Sequence, residues 1–159
     1  MKSGLSMMGV ALLLATGVVA AQQAPAARSA APQATARPAP GAVDPNAIRD
    51  AGLRVATAVD AGQAAQLWDE ASVVTKKTLS REAFVAGISK SRQPLGKTPN
   101  RSWLSVRRQS GDGSALPPGL YASTEFLAEF PGKPPVRELV SFRLDEDGSW
   151  RFAGYAVQP

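Results

Sequence analysis

Apolar and polar positions alternate with two different periods along this chain, and the change falls at Pro94. Before it, between Asp44 and Arg92, apolar residues recur every three or four positions, the spacing of a helix with one buried face. Asp44-Pro45 sets an N-cap residue before a proline at the first helical position. Ile48, Ala51 or Gly52, Val55 and Val59 then share a face up to about Ala61, and Gly62 closes the helix. Leu67, Trp68, Ala71 and Val74 predict a second, shorter helix. Ser80 caps a third, whose apolar face is Phe84, Val85 and Ile88 and which Pro94 stops.

Beyond Pro94 the period is two. Four strands are predicted over roughly residues 101–109, 120–130, 136–145 and 149–157, separated by loops rich in Gly, Pro and Asp. Consecutive strands joined by such loops form an antiparallel meander. Setting Phe126 opposite Val140 brings Thr124 to Phe142 and the acid Glu129 to the base Arg137. A three-residue turn at Glu146-Asp147-Gly148 sets Leu144 opposite Trp150 and Phe142 opposite Phe152. Phe126, Val140, Phe142, Leu144, Trp150 and Phe152 then share the core face, with Gly154 opposite Val140 as a flat spot. The expected fold class is α+β: three N-terminal helices packed on a curved four-stranded antiparallel meander sheet, analogous to NTF2-like and cystatin-like cones.

This register has chemical consequences on both faces. Tyr155 turns outward beside Leu139, which faces Leu127; with Leu104 and Val106 directed to the core, Trp103 joins them. Trp103, Leu127, Leu139 and Tyr155 form an apolar stripe rimmed by Arg137, Arg143, Arg151, Glu125 and Glu129, and that stripe is the candidate partner interface. On the opposite face Glu138 lies near one end of the sheet. A buried carboxylate needs a cation to remain ionised, and Arg92 and Arg101 are its candidate partners, in an ion pair or a pocket. A carboxylate-and-tyrosine isomerase site would pair Glu138 with Tyr155 or Tyr121, and the register, which turns Tyr155 to the other face, counts against the Tyr155 pairing.

The chain contains neither His nor Cys. Ser-His-Asp and Cys-His catalysis, zinc sites of nitrogen and sulfur ligands, disulfides and lipid attachment at a cysteine are all closed to it. Asp145-Glu146-Asp147-Gly148 is too short for a calcium loop and reads as a hairpin turn, so no metal is expected. No cofactor is expected either.

The first residues carry a different pattern. Lys2, an apolar run over Leu5–Val19 and the small residues Val19-Ala20-Ala21 predict a secretory signal peptide over residues 1–21, with no stable membrane span after cleavage. Residues 22–43, QQAPAARSAAPQATARPAPGAV, predict a disordered Pro/Ala-rich tether, and residues 44–159 a single domain. Of the 18 basic residues Lys2 leaves with the leader, so 17 face 13 acidic ones. That excess is spread thinly along the chain, and no nucleic-acid partner is expected.

Several stretches together resemble the bacterial domain-of-unknown-function family 4019: Trp68, the Arg92-Gln93-Pro94-Leu95-Gly96 segment followed by Arg101, Gly119-Leu120-Tyr121, Glu138, and the closing Gly148-Ser149-Trp150-Arg151-Phe152-Ala153-Gly154-Tyr155. Phe152 stands where that closing motif would carry valine. The resemblance spans essentially the whole domain and implies its boundary and its α+β order. It implies no activity.

The sequence therefore points to a periplasmic or secreted binding or assembly module, non-enzymatic, that meets a protein partner or a second copy through the outer sheet face. A small-ligand-binding cone is the alternative. A hydrolase or isomerase using carboxylate and tyrosine is the remaining enzymatic possibility.

Overall fold

The computed structural model describes residues 42–96 and 100–158. The signal peptide and nearly all of the tether read from the sequence lie outside these residues. Helix α1 (Pro45–Asp60) starts where the sequence places it: Asp44 accepts the amide of Asn46 at 2.9 Å, and Pro45 fills the first helical position. Its end is closed by Gly62, whose φ of 72° suits a residue without a Cβ. Val43, the last residue assigned to the tether, packs against the core and so belongs to the domain.

The single second helix expected from Leu67 to Val74 is two helices, α2 (Ala64–Asp69) and α3 (Val73–Thr78). The reason is local. Ser72 is itself an N-cap, its hydroxyl accepting the Val74 amide at 3.2 Å, while its own amide donates to the carbonyl of Phe152 at 2.8 Å. The chain leaves helical geometry there to bond to the sheet. Helix α4 (Arg81–Arg92) is capped by Ser80 and passes into a short 3-10 turn, Gln93–Leu95, at Pro94.

Strands β1 (Asn100–Gly111), β2 (Gly119–Glu129), β3 (Val136–Leu144) and β4 (Trp150–Gln158) form one antiparallel sheet in the order β1-β2-β3-β4, the expected meander. The β3–β4 turn holds Leu144 opposite Trp150 and Phe142 opposite Phe152, with Gly148 at φ 79°. The β2–β3 register differs from expectation by two residues: Thr124 faces Val140 and Phe126 faces Glu138. A two-residue slip keeps every side chain on its face, so the hydrophobic pattern is blind to it.

Two irregularities do change faces. On β1 the register shifts between Trp103 and Ser105, leaving Leu104 without an opposite residue; on β4 it shifts so that Phe142 faces Phe152 but Ser141 faces Gly154, leaving Ala153 over. Each extra residue restarts the alternation. Trp103 and Tyr155, both expected outside, are therefore on the helix-covered face, and Gly154 faces Ser141, not Val140.

The helices pack on one side of the sheet, burying Ile48, Val55, Val59, Leu67, Phe84 and Ile88 against Phe126, Val140, Phe142 and Phe152. Helix α1 approaches β2 closely at Gly52, where an added Cβ would lie 2.1 Å from the Thr124 methyl. The choice left open between Ala51 and Gly52 is thus settled by contact: Gly52 is buried and Ala51 only partly so.

Candidate functional site

The face change at Ala153 delivers Tyr155 to Glu138. The phenol donates to Glu138 Oε1 at 2.5 Å, the pairing that the sequence-derived register counts against. Glu138 is completely buried. Arg101, at the head of β1, donates through Nε to Oε2 and through Nη2 to Oε1 at 3.0 Å, so both carboxylate oxygens carry donors. The same guanidinium reaches Asp60, the last residue of α1, at 2.6 and 2.9 Å. Asp60 in turn accepts Arg92 Nε and Nη2 at 2.9 and 2.7 Å. Arg101 is thus the direct partner of Glu138, and Arg92 is joined to it only through Asp60.

Two carboxylates, two guanidinium groups and a phenol balance to zero net charge while Tyr155 keeps its proton. Burial pushes the Tyr155 phenol up and the Glu138 carboxylate adds to that, holding it well above its ordinary range. Burial also works against ionisation of Asp60, but the Arg101 and Arg92 hydrogen bonds outweigh it and hold the acid below its usual value. Arg101 is likewise more strongly protonated than usual: burial opposes its charge, and Asp60 and Glu138 overcome that. Arg92 also lies over the Phe130 ring, 4.5 Å from its centroid, which anchors the base of the 130–135 loop. These groups neutralise one another. A catalytic carboxylate needs an oxygen open to substrate, and Glu138 has its oxygens committed.

Asp60 is the member that sequence reasoning missed. An acid in the last turn of a helix faces the negative end of the helix dipole, which is unfavourable unless a cation answers it. That mismatch is the signal that marks Asp60 in the sequence.

A second ionic group joins α3 to the β3–β4 hairpin. Asp145 accepts the Ser72 hydroxyl at 2.6 Å and Arg143 at 2.9 Å; Arg151 reaches it at 3.3 Å and holds Asp147 at 2.6 and 2.8 Å. Burial raises the Asp145 carboxyl, but Ser72 and Arg143 lower it by more. The turn is closed by backbone bonds, Asp145 N to Ser149 O and Gly148 N to Asp145 O, both 2.9 Å. Among the described residues no group of three or more acids is placed to hold a metal.

The opposite face of the sheet bears a groove of about 370 Å³. Its floor is small: Ser123, Ser141 and Gly154 stand opposite one another across β2, β3 and β4, with the two serine hydroxyls bonded at 2.9 Å and Arg107 of β1 flanking the row. The β1–β2 loop turns back to form a wall, fixed by Tyr121 donating to Pro117 O at 3.0 Å and contributing Leu116. Leu139 and Glu125 line the other side. Glu125 accepts Arg137 at 2.9 Å, and that bond, ahead of burial, keeps its carboxyl below the usual range. Of the four residues proposed for a partner stripe, Leu139 borders this groove and Leu127 lies next to it in the same outer alternation. Trp103 is behind the sheet, donating to Thr124 Oγ1 at 3.2 Å beneath the Arg49 guanidinium.

An α+β domain with helices on one sheet face, an internal ion network and a polar groove on the other face is the class these features define. The family model described as "Protein of unknown function (DUF4019)" matches residues 51–155, and the chain belongs to that family. Neither the curated proteins nor the solved structures yielded a match to the chain.

Proposed function

We propose that the domain is a non-enzymatic binding or assembly module of the periplasm or secreted space, and that the sheet face free of helices is its working surface. The groove across Ser123, Ser141 and Gly154 carries this reading. Small hydroxyl-bearing residues in the middle of a sheet, walled by Leu116, Tyr121 and Leu139 and flanked by Arg107 and Glu125, suit a protein segment whose polar groups meet the floor hydroxyls and the flanking charges while its apolar groups meet the walls. The apolar run and small-residue site at residues 5–21 support export. The meander with helices on one side supports the NTF2-like or cystatin-like comparison at the level of architecture. On the helix side, the mutual neutralisation of Glu138, Arg101 and Tyr155 supports a structural role there over an enzymatic one.

Gly154 supplies the test. Its φ is not in the left-handed region and a Cβ there meets nothing within 4 Å, so Gly154→Tyr fills the groove without a clash on the backbone. Sedimentation of the full chain should show association with itself, or with a co-purified protein, that Gly154→Tyr and Leu139→Asp both abolish while the dilute protein keeps its melting temperature. Association that survives both substitutions, or a wild-type chain that is monomeric and captures nothing, refutes the reading.

A further inference from the structure

A second cleft, on the helix side, has the makings of a small-molecule site. It lies between α1, α2 and the β3–β4 hairpin and measures about 360 Å³, within the range of ligand pockets. Its deep lining is apolar: Leu67, Phe142 and Phe152 are buried. Trp150 forms a half-buried wall, and the rim carries the exposed side chains Arg54 and Glu70.

The charges on this rim differ in one respect. Arg151 also borders the cleft, but its guanidinium is occupied by Asp147 and Asp145. Arg54 and Glu70 enter none of the ion pairs among the described residues. One unanswered cation and one unanswered anion thus stand at the mouth of a single aromatic-lined cleft. We propose that this cleft binds a small zwitterion with an apolar side chain, an apolar α-amino acid in chemical class. The apolar part lies against Trp150 and the phenylalanines, the carboxylate meets Arg54, and the ammonium meets Glu70. An anion alone or a cation alone leaves one rim charge unanswered, so the arrangement selects for the ligand that carries both.

The test titrates the full chain with L-phenylalanine, 3-phenylpropionate and phenethylamine, followed by calorimetry and by tryptophan fluorescence. L-Phenylalanine should bind about fivefold more tightly than either singly charged probe, the upper end of what one solvent-exposed ion pair contributes. Arg54→Gln should weaken phenylalanine and phenylpropionate by about fivefold and leave phenethylamine unchanged; Glu70→Gln should weaken phenylalanine and phenethylamine by about fivefold and leave phenylpropionate unchanged. Both side chains are exposed, so both variants should fold, which circular dichroism checks. Gly154→Tyr, on the other face, should leave these affinities untouched, which separates this site from the groove. The proposal fails if none of the probes saturates below about 10 mM, a limit corresponding to a negligible interaction, if all three bind alike, or if the two substitutions leave phenylalanine binding unchanged.

Discussion

Two ionic groups fasten the helices to opposite ends of the same sheet. At one end Asp60, Arg92, Arg101, Glu138 and Tyr155 lie behind side chains that exclude water; the Glu138 side chain is 0% exposed and Arg101 only 7%. At the other, Asp145 is buried among Ser72, Arg143 and Arg151, but its hairpin partners are not: the Asp147 side chain is 54% exposed and Glu146 73%. The ingredients are nearly the same, and water access separates their expected effects. A pair cut off from solvent is strongly disfavoured when one partner is removed, whereas an exposed pair is replaced by water at little cost.

Acidification probes both ends together and should have the largest effect. Asp60 and Asp145 are each held below the ordinary aspartate value of 3.8. An acid with a depressed folded pKa stabilises the fold above its unfolded pKa and loses that contribution as pH falls through the folded one. The urea midpoint should therefore be steady from neutrality to about pH 4 and drop steeply below it, with Asp60→Asn and Asp145→Asn each flattening the drop. A midpoint indifferent to acid contradicts both assignments.

Among single substitutions at neutral pH, Glu138→Ala should be the most damaging, about 3 kcal/mol in urea unfolding, because it strips Arg101 and Tyr155 of a buried partner. Replacing Glu138 and Arg101 together by leucine should recover much of that loss. Asp145→Ala should cost less, about 2 kcal/mol, since Arg143 retains Glu146 and the carbonyl of Pro118. Equal losses for the two alanine variants would erase the distinction between closed and open ends. Tyr155→Phe removes one hydrogen bond to a charged acceptor and should cost about 1.5 kcal/mol; an unchanged midpoint would place the phenol away from Glu138. Asp147→Asn, at the exposed hairpin, should leave the midpoint where it is.

The parts of this molecule that were legible in the sequence are those set by local signals. Asp44-Pro45, Ser80, Pro94 and the Glu146-Asp147-Gly148 turn each act through nearby backbone, and each sits where expected. Glu138 and Arg101 were legible for another reason: a charge placed on a core face demands a countercharge, and few were available. What failed was extrapolation of period two along whole strands. A bulge of one residue at Leu104 and another at Ala153 reversed the faces of Trp103 and Tyr155, and alternation counted from the other end of either strand cannot reveal an extra residue. Gly154 marks a flat spot in the sequence, and the extra residue is its neighbour Ala153. The two-residue slip between β2 and β3 escaped for the opposite reason, since it left every face intact.

The closed cluster also bears on how the chain reaches its native state. Its bonds join residues far apart in order: Asp60 and Arg101 are 41 positions apart, Arg101 and Glu138 37, Glu138 and Tyr155 17. Each β hairpin can form from neighbouring segments, but the cluster needs the end of α1, the head of β1, and parts of β3 and β4 in place at once. Loop-closure entropy puts such an assembly late on the folding route. Bonds made after the rate-limiting step leave the speed of folding nearly unchanged and slow the reverse reaction. The buried ion network should therefore act as a latch on unfolding, setting how long a folded molecule lasts once made.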